Sequence, residues 1–266
     1  MSLNDTETRA PSATLDLPEA TLSELDGVRY LHLGSIWVQG AMRIRKPQAI
    51  ELDYIRRMLA SLLWLPTEAL APEAGHRALQ LGLGAGAITR FTQKALGWPT
   101  TVVEINPDVV AANRVWFHLP ADTTVVQADA GAWLRTQAAP ASVHLLHVDL
   151  YDHDAAAPVL DDEAFYADCR RVLAEGGVMA VNLFGRASSF SASIARIAAA
   201  FGSDQVWSLR PTREGNTVVV AGRGVVVPDA ATLTARAQHI EQHWGPLGLL
   251  ARKWLRMVRP YQPEKV

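Results

Sequence analysis

Residues 78–96 have the sequence ALQLGLGAGAITRFTQKAL, in which a short apolar run leads into three glycines and then into apolar residues at helical spacing. This order predicts a buried strand, a tight turn and a helix. Glycines in such a turn let the backbone come close to a ligand, and the first turn of the helix offers free N–H groups to polar or anionic groups. The stretch predicts one β–α unit of a ligand-binding sheet, although its glycine pattern alone is a weak signal.

The same rhythm of apolar strand and helix is repeated four more times along the chain. The strands are TTVVEI (100–105), TTVVQA (123–128), VHLLHVDL (143–150) and GVMAVNLF (177–184). Near-continuous apolar strands separated by helices predict a parallel sheet that is covered on both faces. Two final strands, QVWSLR and NTVVVAGRG, are joined by too few residues for a crossover and must run antiparallel. The pattern predicts an α/β fold with a seven-stranded, mostly parallel sheet and one antiparallel strand.

The chain divides into three predicted parts. Residues 1–25 lack periodicity and are expected to form a mobile leader. Residues 26–72 combine short β-prone runs with one amphipathic helix, which predicts a small N-terminal region of strands and helix. Residues 73–266 hold the large sheet and end in two helices, of which the second is basic.

Composition and charge argue against several classes of protein. The 266 residues are 49% hydrophobic, carry a formal net charge of −2 and contain no apolar run near the roughly 20 residues that span a bilayer. This balance predicts no nucleic-acid partner and no membrane partner. The acidic, polar start is unlike a signal peptide, and the one cysteine, Cys169, excludes an internal disulfide and a cysteine-based zinc site. We therefore expect a cytoplasmic protein.

Small and acidic residues follow the strands of the predicted sheet, where open α/β sheets bind their ligands. They are Gly82, Gly84 and Gly86 after the first strand, Glu104 at the end of the second, Asp129 after the third and Asp149 after the fourth. An acid placed like Glu104 can accept hydrogen bonds from both hydroxyls of a ribose, and Asp129 can accept one from the exocyclic amine of adenine. Two structural alternatives stay open, in which Asp129 is only a helix N-cap and Glu104 only a solvated edge residue.

Residues 148–166, VDLYDHDAAAPVLDDEAFY, carry six acidic side chains directly after a buried strand. Such carboxylates suit four roles: ligands of a metal, binders of a cationic substrate, acceptors of a proton, or solvated loop residues. Among the histidines, only His153 has ligand spacing to these acids, which makes a metal site the less favoured role.

Four motifs of the chain resemble the class I S-adenosylmethionine-binding transferases. They are LQLGLGAG, VVEINPDVV, QADAGAWL and HVDLYDHDAAAPVLDDEAFYADCRRVLAEGGVMAVN. Within that class the chain most resembles the spermidine synthase, or polyamine aminopropyltransferase, family, over roughly residues 28–225. The resemblance implies a Rossmann-like class I methyltransferase fold with a small N-terminal β-rich extension, in which residues 73–266 form the nucleoside-binding catalytic domain.

The resemblance also implies roles for individual residues. The nucleoside site maps onto Gln39, Gly82, Gly84, Gly86, Glu104 and Asp129. The family's Asp-x-x-Asp motif corresponds to the catalytic acids Asp149 and Asp152, and Tyr54, Tyr151 and Asp154 belong to the amine site. The implied co-substrate is decarboxylated S-adenosylmethionine or ordinary S-adenosylmethionine, with a polyamine as acceptor and no metal. The resemblance further implies a homodimer or tetramer.

Three departures from the family pattern keep other functions open. Ala85 stands where the family has an aspartate that faces the aminopropyl ammonium, residues 54–57 (Tyr-Ile-Arg-Arg) replace the motif Tyr-Gln/His-x-Glu, and DHDAAAPVL replaces a Ser/Pro-rich gate. The alternatives are an S-adenosylmethionine-dependent small-molecule methyltransferase on the same scaffold and a nonenzymatic nucleoside-binding relative. A nicotinamide oxidoreductase is disfavoured, because Pro263 interrupts the only Tyr-x-x-x-Lys stretch, residues 261–265.

Overall fold

The computed structural model describes residues 17–150, 160–184 and 187–263. It begins with a three-stranded antiparallel sheet, β1 (Ala20–Leu25), β2 (Val28–Leu33) and β3 (Gly40–Arg43), in that order. Asp26 and Gly27 connect β1 to β2 and both have positive φ, as a tight two-residue hairpin requires. β1 begins at Ala20, inside residues 1–25, which were predicted to form a mobile leader. The hydrophobic pattern of the sequence did not predict this strand.

The amphipathic helix predicted within residues 26–72 has two parts. α1 (Asp53–Met58) is α-helical, and the chain then tightens into a 3₁₀ helix from Leu59 to Trp64. Both parts bury their apolar side chains against one face of the large sheet. The helix therefore carries the N-terminal region onto the sheet, next to the ends of its strands.

The large sheet has eight strands in the described part of the chain. They are β4 (Ala78–Leu81), β5 (Thr100–Glu104), β6 (Thr124–Gln127), β7 (Val143–Val148), β8 (Leu173–Phe184), β9 (Val206–Leu209), β10 (Asn216–Gly222) and β11 (Val258–Pro260). The helices around it are α2 (Ala87–Arg90), α3 (Pro107–Trp116), α4 (Ala130–Thr136), α5 (Glu163–Val172), α6 (Ala187–Phe201), α7 (Ala230–Trp244) and α8 (Ala251–Trp254).

The strand order is β11-β9-β10-β8-β7-β4-β5-β6. Neighbours from β6 to β8 pair in parallel and β9 pairs antiparallel with β10, as predicted. In addition, β10 lies between β9 and β8 and pairs antiparallel with β8. The prediction of seven strands was one short, because β11 adds an antiparallel edge strand beside β9. This strand has three residues and ends in Pro260, which an edge strand tolerates, so it leaves no alternating pattern in the sequence.

Apolar side chains cover both faces of the sheet. On β7, Leu145 packs into the cluster that contains α1 and α7, and its neighbour Leu146 packs into the cluster that contains α5 and α6. This arrangement explains the continuous apolar sequence of the central strands, since successive side chains point to opposite, buried faces. In the described part of the chain, no helix is long and apolar enough to cross a membrane.

Candidate active site

A cavity of about 850 Å³ opens where β4, β5, β6 and β7 end. The N-terminal sheet and α1 form its other side. The predicted site residues on its wall are Gln39, Tyr54, Gly82, Gly84, Glu104, Asp129 and Asp149. The fold thus brings together residues that are up to 110 positions apart in the sequence, from 39 to 149.

The glycine turn after β4 forms the floor of this cavity. Gly82 has φ of 83° and Gly84 has φ of 51°, which side chains rarely allow, and a Cβ atom on Gly82 would strike the carbonyl oxygen of Asp149. Gly86 does not line the cavity. It is the N-cap of α2, where a Cβ atom would lie 2.6 Å from Asn113 Oδ1, so its glycine is explained by packing.

Buried polar side chains hold the glycine turn from below. Gln80 Nε2 donates to the Gly82 carbonyl (2.7 Å), Asn113 Nδ2 to the Gly84 carbonyl (2.6 Å) and Arg90 Nη1 to the Ala85 carbonyl (2.6 Å). Because these carbonyls are bonded within the protein, the conformation of the turn is fixed before any ligand arrives. This network was not predicted from the sequence, although Gln80 is a polar residue inside an apolar strand.

Glu104 joins the glycine turn to the end of β5. Its two carboxylate oxygens accept hydrogen bonds from the backbone N–H groups of Leu83 (2.8 Å) and Asn106 (2.9 Å). Burial raises the pKa of Glu104, and these backbone bonds act in the opposite direction. Glu104 is buried and lines the cavity, so the residue is a fixed acceptor on the cavity wall and not a solvated edge residue.

Asp129 has two roles in the geometry. Its Oδ1 accepts a hydrogen bond from the Ala132 N–H (2.7 Å), so it is the N-cap of α4. It also lines the cavity. Asp129 is therefore a helix N-cap, as one of the two alternatives predicted, and among the described residues only its Oδ1 is used for that cap.

Asp149 is a half-buried carboxylate directly after β7. Asn182 Nδ2 donates to one of its oxygens (2.9 Å) and the Tyr54 hydroxyl donates to the other (3.1 Å). Burial raises the pKa of Asp149, while the hydrogen bonds from Asn182 and Tyr54 lower it. Asn216 Nδ2 in turn donates to Asn182 Oδ1 (3.2 Å), so the carboxylate lies at the end of a chain of amides. Both asparagines were missed in the sequence.

Gln39, in the loop before β3, has a buried side-chain nitrogen on the cavity wall. Its Nε2 has no hydrogen-bond partner among the residues that the structure describes. A buried donor without a partner is costly, and a ligand that supplies an acceptor removes that cost. Together with Glu104 and Asp129 it forms a donor and acceptor set that fits an adenosine-type ligand.

Comparison with known proteins gives the family. No protein-family model matches the chain. A polyamine aminopropyltransferase of Chromobacterium violaceum is 31% identical to it over 242 residues, which cover 89% of this chain and 89% of that protein. The chain belongs to the polyamine aminopropyltransferase family. The resemblance inferred from the sequence motifs is thereby confirmed.

Solved structures share the fold. A probable spermidine synthase from Corynebacterium glutamicum matches with a TM-score of 0.68 at 18% identity, covering 93% of this chain and 94% of the other. Human methyltransferase-like protein 13, solved in complex with SAH, matches with a TM-score of 0.63 at 20% identity, covering 81% and 98%. The predicted class I methyltransferase fold is confirmed.

Against this family background, Ala85 is the clearest departure. Its side chain is buried beside β3, where a Cβ atom added to Gly40 would lie 2.5 Å from the Ala85 Cβ. A void of about 10 Å³ borders Ala85, Gln39, Tyr54 and Asp149. The place where the family resemblance implies a carboxylate therefore holds a methyl group next to a very small void.

Some side chains of the acidic segment, residues 148–166, can be assigned a role. Asp162 is the N-cap of α5 and accepts a hydrogen bond from the Phe165 N–H (2.7 Å), and Asp161 pairs with Arg196 (2.7 Å), so both acids are structural. Tyr151, Asp152 and Asp154 lie outside the described residues, and their roles stay predictions. Within the described ranges, no three His, Cys, Asp or Glu side chains gather in a way that could hold a metal ion.

Proposed function

We propose that this protein transfers the aminopropyl group of decarboxylated S-adenosylmethionine to an amine. The observation that carries the proposal is the position of Asp149, a half-buried carboxylate held by Tyr54 and Asn182 in the same cavity as Glu104. Membership of the polyamine aminopropyltransferase family supports the same reaction.

The nucleoside part of the donor is assigned to the end of the cavity formed by the glycine turn. Glu104 would accept hydrogen bonds from the ribose hydroxyls, Asp129 from the adenine amine, and Gln39 would donate through its unpartnered Nε2. When bound, the sulfonium of the donor supplies a carbon that is already activated for attack by an amine. The protein has to supply position and an unprotonated nucleophile.

The transfer step moves the aminopropyl group from sulfur to the amine nitrogen. The amine nitrogen forms a bond to the aminopropyl carbon next to sulfur, the C–S bond breaks, and its electron pair stays on sulfur, so that methylthioadenosine leaves. An aliphatic ammonium has a pKa of about 10, near that of lysine, so the nitrogen must lose a proton. Asp149 would accept that proton, and a carboxylate whose pKa is raised by burial is a stronger base for this purpose.

The acceptor's remaining cationic groups are assigned to the acidic segment on the basis of sequence. Asp152 and Asp154 would anchor a second ammonium, and Tyr151 would contact the cation with its ring face.

We further propose that the protein is a cytoplasmic homodimer or tetramer, following the sequence chemistry and the family resemblance. Light scattering on the purified protein measures the oligomeric state.

The products distinguish this function from its alternatives. Purified protein is incubated with decarboxylated S-adenosylmethionine and putrescine, and in parallel with ordinary S-adenosylmethionine and the same amine. Methylthioadenosine and an aminopropylated amine in equal amounts are expected from the first mixture. S-adenosylhomocysteine from the second mixture, with no product from the first, would refute aminopropyl transfer. No product from either mixture would favour the nonenzymatic nucleoside-binding protein.

A small-molecule methyltransferase is the second candidate, and Ala85 is the observation in its favour. Without a carboxylate at this position, the cavity lacks a charge-assisted contact for the free ammonium of the decarboxylated donor, a loss of about 1.5–3 kcal/mol. The carboxylate of ordinary S-adenosylmethionine would also meet no negative charge at Ala85.

A further inference from the structure

Arg56 is a cation on the cavity wall whose charge is not neutralised by the described residues. Its Nε donates to the carbonyl oxygen of Ile50 (2.8 Å), and the side chain is half-buried beside Gly248. It forms no ion pair with any residue that the structure describes. The Nε edge of the guanidinium is therefore fixed to the backbone. Among the described residues, its two terminal nitrogens have no acceptor, so their N–H groups can donate to a ligand.

The acids nearest to it along the chain are already paired with other arginines. Glu51 binds Arg43 (2.7 Å) and Asp53 binds Arg57 (2.7 Å), and both acids also line the cavity. Each of these two pairs cancels its own charge. Arg56 is therefore the cation of α1 that has no ion-pair partner among the described residues.

Another acid, Glu214, lies on the loop between β9 and β10 and also borders the cavity. Hydrogen bonds to its own backbone and to Thr212 lower its pKa, and the nearby cations that act on it are Arg57 and Arg213. Glu214 is exposed. It therefore does not provide Arg56 with a buried counter-ion.

We propose that Arg56 binds a carboxylate carried by a ligand in this cavity, a proposal that rests on the proposed function. The carboxylate belongs either to an amino-acid acceptor or to the methionine tail of ordinary S-adenosylmethionine. A guanidinium binds a carboxylate through strong, charge-assisted and often bidentate hydrogen bonds. A plain diamine carries no anionic group that could pair with Arg56.

The acceptor arm of the test uses two amines of equal length, putrescine and 4-aminobutyrate, which carries a carboxylate in place of one ammonium. Methylthioadenosine release from decarboxylated S-adenosylmethionine is followed with each amine. If the acceptor supplies the carboxylate, we expect kcat/KM to be at least tenfold higher for 4-aminobutyrate than for putrescine, and this preference to be lost in Arg56→Gln. Arg56→Lys, which keeps the charge, should retain part of it. Arg252→Gln, at an exposed arginine of α8 paired with Glu241, is the matched control and should change nothing.

The donor arm measures binding of ordinary and decarboxylated S-adenosylmethionine by calorimetry in the wild type and in Arg56→Gln. If the donor supplies the carboxylate, the substitution weakens only the ordinary form, by about tenfold or more. Unchanged acceptor preference together with unchanged affinity for both donor forms would overturn the proposal, provided that thermal unfolding shows the variant to be folded. If no amine yields methylthioadenosine but Arg56→Gln still weakens binding of ordinary S-adenosylmethionine, the aminopropyl transfer fails and the carboxylate site stands.

Discussion

At the scale of single residues, opposing effects act on the pKa values of two carboxylates in the cavity, Glu104 and Asp149. Burial raises the pKa of both Glu104 and Asp149, and hydrogen bonds from fixed donors lower both. The charge of Asp149 also raises the pKa of Glu104. The donors differ in kind, because Glu104 is held by backbone N–H groups and Asp149 by the side chains of Asn182 and Tyr54. Only the environment of Asp149 can therefore be changed by simple substitution.

Asn182→Leu should shift the pH dependence of the reaction. Asp149 must be unprotonated to accept a proton, so kcat/KM falls as the pH falls through its pKa. Removing the Asn182 donor removes a bond that lowers this pKa. The acid limb of the profile should therefore move to higher pH, with methylthioadenosine affinity at neutral pH little changed. Asn216→Leu, one hydrogen bond farther away, should give a smaller shift. An acid limb that stays in place or moves to lower pH would contradict the assignment.

At the scale of elements, β3 and the glycine turn are in direct contact. A Cβ atom on Gly40, the first residue of β3, would strike the backbone nitrogen and the Cβ of Ala85. Backbone atoms cannot swing aside as the end of a long side chain does. The N-terminal sheet therefore sets the position of the turn that forms the cavity floor.

Gly40→Ala should displace this turn. We expect a destabilisation of about 1–3 kcal/mol, typical of overpacking, and a weaker affinity for methylthioadenosine measured by calorimetry. Gly245→Ala is the control, because Gly245 has φ of −54° and its added Cβ would meet only Glu241 Cγ, at 3.7 Å. Equal methylthioadenosine affinity in the two variants would show that β3 does not position the turn.

The elements of the site differ in how far sequence predicts them. The turn at Gly82 and Gly84 was predictable, because positive φ at these positions selects glycine, a choice visible in the sequence itself. The contact of Asn182 with Asp149 was not, because it depends on β8 lying beside β7 in register. Such long-range pairing leaves no local pattern, and the same reason hides β11 at the edge beside β9.

At the scale of the whole molecule, the cavity needs both regions of the chain. The large sheet supplies Glu104, Asp129 and Asp149 from the ends of its strands, and the N-terminal region supplies Gln39 and Tyr54. The ends of parallel strands were predictable as a site from the general behaviour of α/β sheets. The contribution of the N-terminal region followed only from the family resemblance, since its own sequence carries no comparable signal.

The preference for one donor form over the other depends on the whole cavity. The missing carboxylate at Ala85 predicts how this preference differs from that of relatives. We expect a weaker preference for decarboxylated over ordinary S-adenosylmethionine than a spermidine synthase with an aspartate at this position would have. Competition binding of the two forms measures it. Ala85→Asp should increase the preference for the decarboxylated form, and Ala85→Asn, of the same size without the charge, should not. A strong preference in the unaltered protein, unchanged in Ala85→Asp, would mean that another acid already meets the aminopropyl ammonium.

The most direct measurement compares turnover and methylthioadenosine affinity in Asp149→Asn and in the unaltered protein. The substitution keeps the size of the side chain and removes its charge and its capacity to accept a proton. Turnover to methylthioadenosine should fall by roughly 10²–10⁴, the usual range for loss of a general base. Methylthioadenosine affinity should stay nearly the same, because the nucleoside contacts are assigned to Glu104, Asp129 and Gln39. Near-normal turnover in Asp149→Asn would contradict the account and leave this carboxylate without a catalytic role.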